Sequence, residues 1–113
     1  MATRMYFLVN VEVDIGHAML AMAHGAMAAT LKLKDNPEFK EFTETSFRKA
    51  CCGVTAEQMR KAKTYGLEHI VMTESAIPGV ETLLVFSPRA EWPQFFRSLP
   101  LYKGPSAPNL TII

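Results

Sequence analysis

The chain has 113 residues, enough for one domain with a hydrophobic core and too few for two independent cores. Twelve Lys and Arg against eleven Asp and Glu give a net charge of +1. This balance excludes a protein that binds nucleic acid or membranes through overall positive charge, although a local basic patch stays open.

Cysteines and apolar segments indicate a cytoplasmic protein. Cys51 and Cys52 are adjacent in a predicted strand, where neighbouring side chains point to opposite faces, so we expect inert, reduced thiols rather than a disulfide. The apolar stretch 18–29 is shorter than the roughly 20 residues needed to cross a bilayer. We therefore expect no membrane contact and no export.

The first half of the chain predicts a strand followed by two helices. Tyr6–Val13 combines aromatic and β-branched residues and predicts a buried strand. A long helix follows from about His17 to Lys34, rich in Ala, Met and Leu, and its composition is typical of an element packed on several sides. Asn36–Pro37 ends it and begins a short helix to Glu44.

The second half alternates between strands and helices. Phe47–Val54 predicts a strand, and Thr55 with Gln58 forms a capping box that begins a helix to Tyr65. Leu67–Met72 and Val80–Phe86 predict two further strands, joined by a loop over Thr73–Gly79. A last helix begins at Ser87–Pro88 and is restarted or kinked by Pro93.

The order β-α-α-β-α-β-β-α predicts an α/β fold with a four-stranded mixed sheet and helices on both faces. We expect one domain over residues 1–103. Residues 104–113 form a Pro-containing apolar tail that docks on its own domain or on a partner.

Two histidines mark the long helix. His17 and His24 return to nearly the same side, about 20° short of two full turns, but they lie roughly 10 Å apart along the axis. They cannot share one zinc ion, whose ligands lie within about 2 Å of it. His69 adds no ligand spacing, so we expect no metal and no cofactor.

The beginning of the long helix is the strongest candidate site. Free N–H groups and the helix dipole favour an anion near Gly16 and His17. An alternative is that His17 is a solvated residue without a role. We expect His24 to be a hydrogen-bonded core or groove-lining residue.

Glu74 follows the third predicted strand, where active-site residues gather in sheets with parallel strands. We therefore assign His17 and Glu74 as candidate catalytic residues. Candidate substrate-binding residues are Gly16, His24, Lys49 and Ser75. Other cations, among them Arg60 and Lys63, are more simply solvated helix faces.

Several short sequence motifs over residues 4–103 resemble those of the type 2 peptidyl-tRNA hydrolase family and follow one another in the same order. The Gly16 to Gly25 segment resembles the family's Gly-Lys-x-x-x-Gln-x-x-His-Ala helix, and residues 62–67 match its Ala-Lys-x-x-Gly-Leu. Glu74 falls where the family has Asp, and residues 77–79 where it has Ala-Pro-Gly. His17 replaces the family's Lys, Ala21 its Gln, and no residue matches its Thr.

The resemblance implies hydrolysis of the ester that joins a peptide to the tRNA 3′ end. In this chain Glu74 would orient or deprotonate the water, and His17 with the helix N–H groups would bind the oxyanion or a phosphate. Because a fixed charge is lost with the Lys, we expect weak or absent turnover. The alternatives are a non-catalytic homodimeric binding domain for a small anionic or peptide ligand, and a hydrolase of smaller acyl esters.

Overall fold

Four strands and four helices follow one another in the computed structural model, which describes residues 3–106. In chain order they are β1 (Arg4–Asn10), α1 (Ile15–Leu33), α2 (Pro37–Glu44), β2 (Arg48–Val54), α3 (Ala56–Lys63), β3 (His69–Thr73), β4 (Glu81–Arg89) and α4 (Gln94–Arg97). The predicted order of elements and the mixed α/β fold are confirmed.

The sheet has the strand order β2-β1-β4-β3. β1 and β2 are parallel, with Arg4 opposite Arg48 and Asn10 opposite Val54, whereas β4 runs antiparallel to both β1 and β3. β1 and β4 therefore lie at the centre, which is why the apolar run of β1 is nearly continuous.

Helices cover both faces of this sheet. Alternate residues of β1 point to opposite sides, so Phe7 and Val9 join α1 and α2 in one core while Tyr6 and Leu8 join α3 and α4 in the other. The second core is rich in aromatic contacts, with the Tyr6 ring 4.7 Å from that of Trp92. Each helix pair thus buries one face of the sheet.

Local capping signals place two helices where the sequence predicts them. The Asn36 side chain accepts hydrogen bonds from the first turn of α2, which ends at Glu44 as predicted. At α3, the Gln58 N–H donates to the Thr55 hydroxyl and the Thr55 N–H donates to the Gln58 side chain. The predicted capping box is therefore confirmed.

The last helix begins later than predicted. Ser87 and Pro88 belong to β4, and α4 starts at Gln94, directly after Pro93. The register of β1 with β4 shifts between the pair Tyr6–Phe86 and the pair Arg4–Arg89. Ser87 and Pro88 therefore lie at a bulge. A bulge tolerates a proline because no ladder hydrogen bond from its nitrogen is required there. The prediction of a helix that begins at Ser87 is therefore wrong.

Helix α1 is packed on one side only, so the expectation of packing on several sides is wrong. Five of its residues are buried: Ala18, Ala21, Gly25, Ala29 and Leu33. Gly25 marks the closest approach to the sheet, since a Cβ there would lie 2.5 Å from the Leu83 Cδ2 atom and 2.9 Å from the Val85 Cγ2 atom. The opposite side of the helix is exposed although it is apolar.

The segment after α4 runs along the free edge of β2. The Gly53 N–H donates to the Pro100 carbonyl, and the Tyr102 N–H donates to the Cys51 carbonyl. Cys51 and Cys52 are free thiols on opposite faces, as predicted. Most of the predicted tail, residues 107–113, lies outside the described residues, and within 3–106 no helix is long and apolar enough to span a membrane.

Candidate functional site

Three strands end at the same edge of the sheet. The register places Asn10 beside Val54, and Thr73 opposite Glu81 at the start of β4. We call this the carboxyl edge, defined by the last residues of β1, β2 and β3. After β1 the chain crosses to one face as α1, and after β2 it crosses to the other as α3, an arrangement that leaves a crevice where α/β proteins bind ligands.

An aspartate and a histidine are paired at the start of α1. Asp14 is the N-cap, and its Oδ1 accepts a hydrogen bond from the His17 N–H at 2.9 Å. The same carboxylate lies 2.9 and 3.1 Å from the His17 Nδ1 atom. The sequence analysis missed Asp14 as a functional residue, although the i, i+3 spacing at a helix start is the signal that would have found it.

The pair fixes how the His17 ring presents its nitrogens. The hydrogen bond from the His17 backbone N–H, then that from its side chain, lowers the pKa of Asp14, so the group is a carboxylate at neutral pH. A carboxylate can only accept, and Nδ1 must therefore donate. In the neutral imidazole, Nε2 is then the nitrogen with a free lone pair.

Gly16 lies exposed in the first turn of α1. A Cβ at this position would meet only the Asp14 side chain, at 3.9 Å, so close packing does not require the glycine. The N–H groups of Ile15 and Gly16, the first two residues of the helix, have no acceptor within it. They are donors available to an anion.

Glu74 directly follows β3 and so lies at the carboxyl edge. Its Oε1 accepts hydrogen bonds from the Ser75 hydroxyl at 3.3 Å and from the Ala76 N–H at 3.5 Å. The carboxylate is half-buried and oriented by its own loop, and the Ser75 hydroxyl is engaged in holding it.

His17 reaches the level of this edge. From Gly25, which packs on β4 beside Leu83, the helix rises about 12 Å back to His17. From Val85, which Gly25 also packs on, β4 covers a similar length, about 13 Å, over the four residues back to Glu81. The structure thus brings His17 and Glu74 to the same edge, although no hydrogen bond joins them within residues 3–106.

His24 lies elsewhere on α1. Its side chain is exposed on the side of the helix that faces away from the sheet. The expectation of a hydrogen-bonded core or groove-lining histidine is wrong, because the sheet covers only one side of this apolar helix and His24 faces away from it.

The structure does not bring Lys49 to this edge. It pairs with Met5 near the beginning of β2, about 17 Å along the strand from Val54. Its Nζ donates to the Phe47 carbonyl at 2.7 Å and lies 3.3 Å from the centre of the Phe47 ring, and burial lowers its pKa. Phe47 itself has a φ of 52°, an uncommon value for an aromatic residue.

Lys49 lines a separate apolar pocket of about 380 Å³. Its other lining residues are Met5, Phe7, Ala26, Ala29, Thr30, Phe39, Phe42, Thr43 and Phe47. The pocket opens at the opposite end of the sheet from Glu74, so it cannot share a small ligand with the carboxyl edge.

A polar groove of about 880 Å³ at the carboxyl edge was not anticipated from the sequence. Arg60 and Lys63 of α3 line it, together with Asn10, Glu12, Ala56, Met59, Gly79, Val80 and Glu81. Lys63 is neutralised by Glu81, with its Nζ 2.7 Å from both carboxylate oxygens, whereas Arg60 takes part in no ion pair within residues 3–106. The only sequence signal was the run of cations at the end of α3.

Asn10 holds the loops of this groove together. Its buried side chain donates to the Glu81 carbonyl at 3.0 Å and accepts from the Glu12 N–H at 2.9 Å. The end of β1 and the start of β4 are thereby fixed relative to each other.

Within residues 3–106, no three His, Cys, Asp or Glu side chains cluster in a way that could hold a metal ion. Comparison of the sequence with known protein families and with curated proteins finds no match. The function is therefore inferred from the residues of the site.

Proposed function

We propose that this protein is a peptidyl-tRNA hydrolase-like enzyme that cleaves the ester between a peptide and the tRNA 3′ end. The observation that carries the proposal is the Asp14–His17 pair at the carboxyl edge, with Glu74 at the same edge. We place this activity in the cytoplasm, where thiols such as Cys51 and Cys52 stay reduced.

The pair supplies a general base. His17 Nε2 takes a proton from a water molecule as its oxygen bonds to the ester carbonyl carbon, and Asp14 stabilises the imidazolium that forms. Glu74 accepts a hydrogen bond from the same water and orients it. In the family that the sequence resembles, a lysine stands at the position of His17, so the proposed base is particular to this chain.

The start of α1 stabilises the negative charge that develops. The oxyanion of the tetrahedral intermediate accepts hydrogen bonds from the Ile15 and Gly16 N–H groups. Collapse of the intermediate breaks the bond to the ribose oxygen, which takes the proton from His17. The products are a peptide with a free carboxyl group and a tRNA with a free 3′ hydroxyl.

Positive charge for the tRNA end comes from α3. Arg60 lines the groove at the carboxyl edge, with Lys61 in the same last turn of the helix. These residues lie beyond the reacting centre and replace only part of what a lysine in the first turn of α1 would provide. We therefore expect slow turnover.

A single-turnover assay with labelled peptidyl-tRNA tests this function. His17→Ala should lower the rate by about 100-fold or more, because a general base contributes at least that factor. Asp14→Asn, which disturbs the orientation of the ring, should lower it by about tenfold or more, and Glu74→Gln should also slow the reaction. Glu44→Gln, an exposed carboxyl group at the end of α2, is the matched control and should leave the rate unchanged.

Two results would overturn the hydrolase proposal. One is the absence of turnover by the wild-type protein, and the other is a His17→Ala rate within about twofold of wild type, since a general base contributes far more.

A second candidate function is a non-catalytic homodimeric domain that binds a small anionic or peptide ligand. The free N–H groups of Ile15 and Gly16 favour it, because they bind an anion without any chemistry. Salt titration separates the two candidates. Binding of tRNA weakens steeply with salt if phosphates are contacted, whereas tight binding of a small ligand that is insensitive to salt supports the second function.

A further inference from the structure

The outward side of α1 carries an unusual apolar stripe. Met19, Ala23, Met27 and Leu31 lie on it at every fourth position, each turned about 40° further round the helix than the one before. The side chains at positions 19, 27 and 31 are each 67% exposed, and Leu20 beside them is 44% exposed. From Ile15 to Leu31 the helix contains no Asp, Glu, Lys or Arg.

This face is large enough to form an interface. The four large apolar side chains at positions 19, 20, 27 and 31 together expose roughly 500 Å², in the upper range for the largest apolar patch on a typical monomer. A stable protein–protein interface buries about 800 Å² on each partner. The small residues and His24 that surround the stripe supply the remaining area.

The stripe is symmetric about its centre. Ala23 is small, and it has a methionine four residues away on each side. A two-fold axis through Ala23 therefore sets large residues against large residues and leaves the small residue at the crossing point, where two helices approach to about 8–10 Å.

We propose that this face binds the same face of a second copy of the chain, with the two α1 helices antiparallel about a two-fold axis at Ala23. Met19 then packs against the partner's Met27. The proposal does not depend on the ester hydrolysis proposed above.

Charges at the two ends of the stripe favour the antiparallel arrangement. Glu12 and Asp14 precede the helix, while Lys32 and Lys34 lie at its end, and all four are exposed. Antiparallel packing brings Glu12 and Asp14 towards the partner's Lys34 and the partner's Lys32. Parallel packing would bring like charges together, which is unfavourable.

Sedimentation of the full chain tests whether the face is used. The wild-type protein should be a dimer, and Ala23→Glu should weaken it at least 100-fold because two carboxylates would meet at the axis. Ala56→Glu is the matched control, since Ala56 is an exposed helical alanine of α3, on the other face of the sheet, and this variant should remain a dimer. Circular dichroism checks that each variant is folded.

Cysteine cross-linking tests the arrangement. Ala23→Cys should oxidise to a covalent dimer by itself because the residue meets its own copy. Met27→Cys alone should not, but it should cross-link when mixed with Met19→Cys. The wild-type protein is the control for Cys51 and Cys52.

Three outcomes would overturn the proposal. They are a monomeric wild-type protein, a dimer that Ala23→Glu leaves intact, and efficient cross-linking of Met27→Cys with itself, which indicates parallel helices.

Discussion

Gly25 is the point at which α1 touches the sheet most closely, and replacing it with alanine should destabilise the protein. The added Cβ would lie 2.5 Å from the Leu83 Cδ2 atom and 2.9 Å from the Val85 Cγ2 atom. Both neighbours are almost fully buried, so they have little room to move. Overpacking of this kind costs about 1–3 kcal/mol.

The helix itself gains from the same substitution. Alanine is favoured over glycine within a helix by about 1 kcal/mol, which offsets part of the overpacking. The difference is a net loss of up to about 2 kcal/mol in the free energy of unfolding. For a domain of this size that loss lowers Tm by up to about 10 °C, which chemical and thermal unfolding followed by circular dichroism will measure.

Gly16→Ala is the matched control, because it adds the same methyl group to the same helix in open space. A Cβ there lies 3.9 Å from its nearest neighbour, so only the gain in helix propensity should remain. If Gly25→Ala is no less stable than Gly16→Ala, the close approach imposes no cost and the prediction is wrong.

Three further predictions concern ionisable groups. Burial, and then the neighbouring Cys51, raise the pKa of Cys52 to about 11. The neutral thiol therefore stabilises the folded protein fully below about pH 9, and this contribution is lost as the pH rises through about 11. Cys52→Ala should remove this alkaline loss and, at neutral pH, Cys52 should react slowly with a thiol reagent. The lowered pKa of Asp14 contributes stability above about pH 3.8 that is lost in acid, and Asp14→Asn should remove that dependence. Replacing Lys63 with methionine should cost at most about 1 kcal/mol in urea unfolding, because its ion pair with Glu81 is partly exposed.

Each of these has a contradicting result. An alkaline transition unchanged by Cys52→Ala, an acid transition unchanged by Asp14→Asn, or a loss of several kcal/mol in the Lys63 variant would each show that the assigned group is not the cause.

The sequence predicted the elements that depend on neighbouring residues. The Asn36–Pro37 boundary and the capping box of Thr55 and Gln58 are local hydrogen-bonding patterns, and both were read correctly. Ser87–Pro88 has the same local character but was misread, because a shift in register with β1 keeps both residues in the strand. That shift depends on a strand about 80 residues away in the chain.

The candidate site was predicted in part for the same reason. His17 and Glu74 could be selected because each follows a strand that ends at the carboxyl edge. The contact of Asp14 with His17 could have been predicted from the sequence, because the two residues are only three positions apart. The groove beside Arg60 could not have been predicted in this way, because β1, α3 and the loop before β4 form it together.

The sequence by itself thus determined the order of the elements, the caps of α2 and α3, and the apolar composition of α1. Only the tertiary structure decided which side of α1 is buried, because composition reports how apolar a helix is and not how many neighbours it has. With the sheet on one side alone, His24 and the stripe from Met19 to Leu31 face outwards. Lys49 was separated from the carboxyl edge in the same way, since the parallel register of β1 and β2 fixes it near the other end of the sheet.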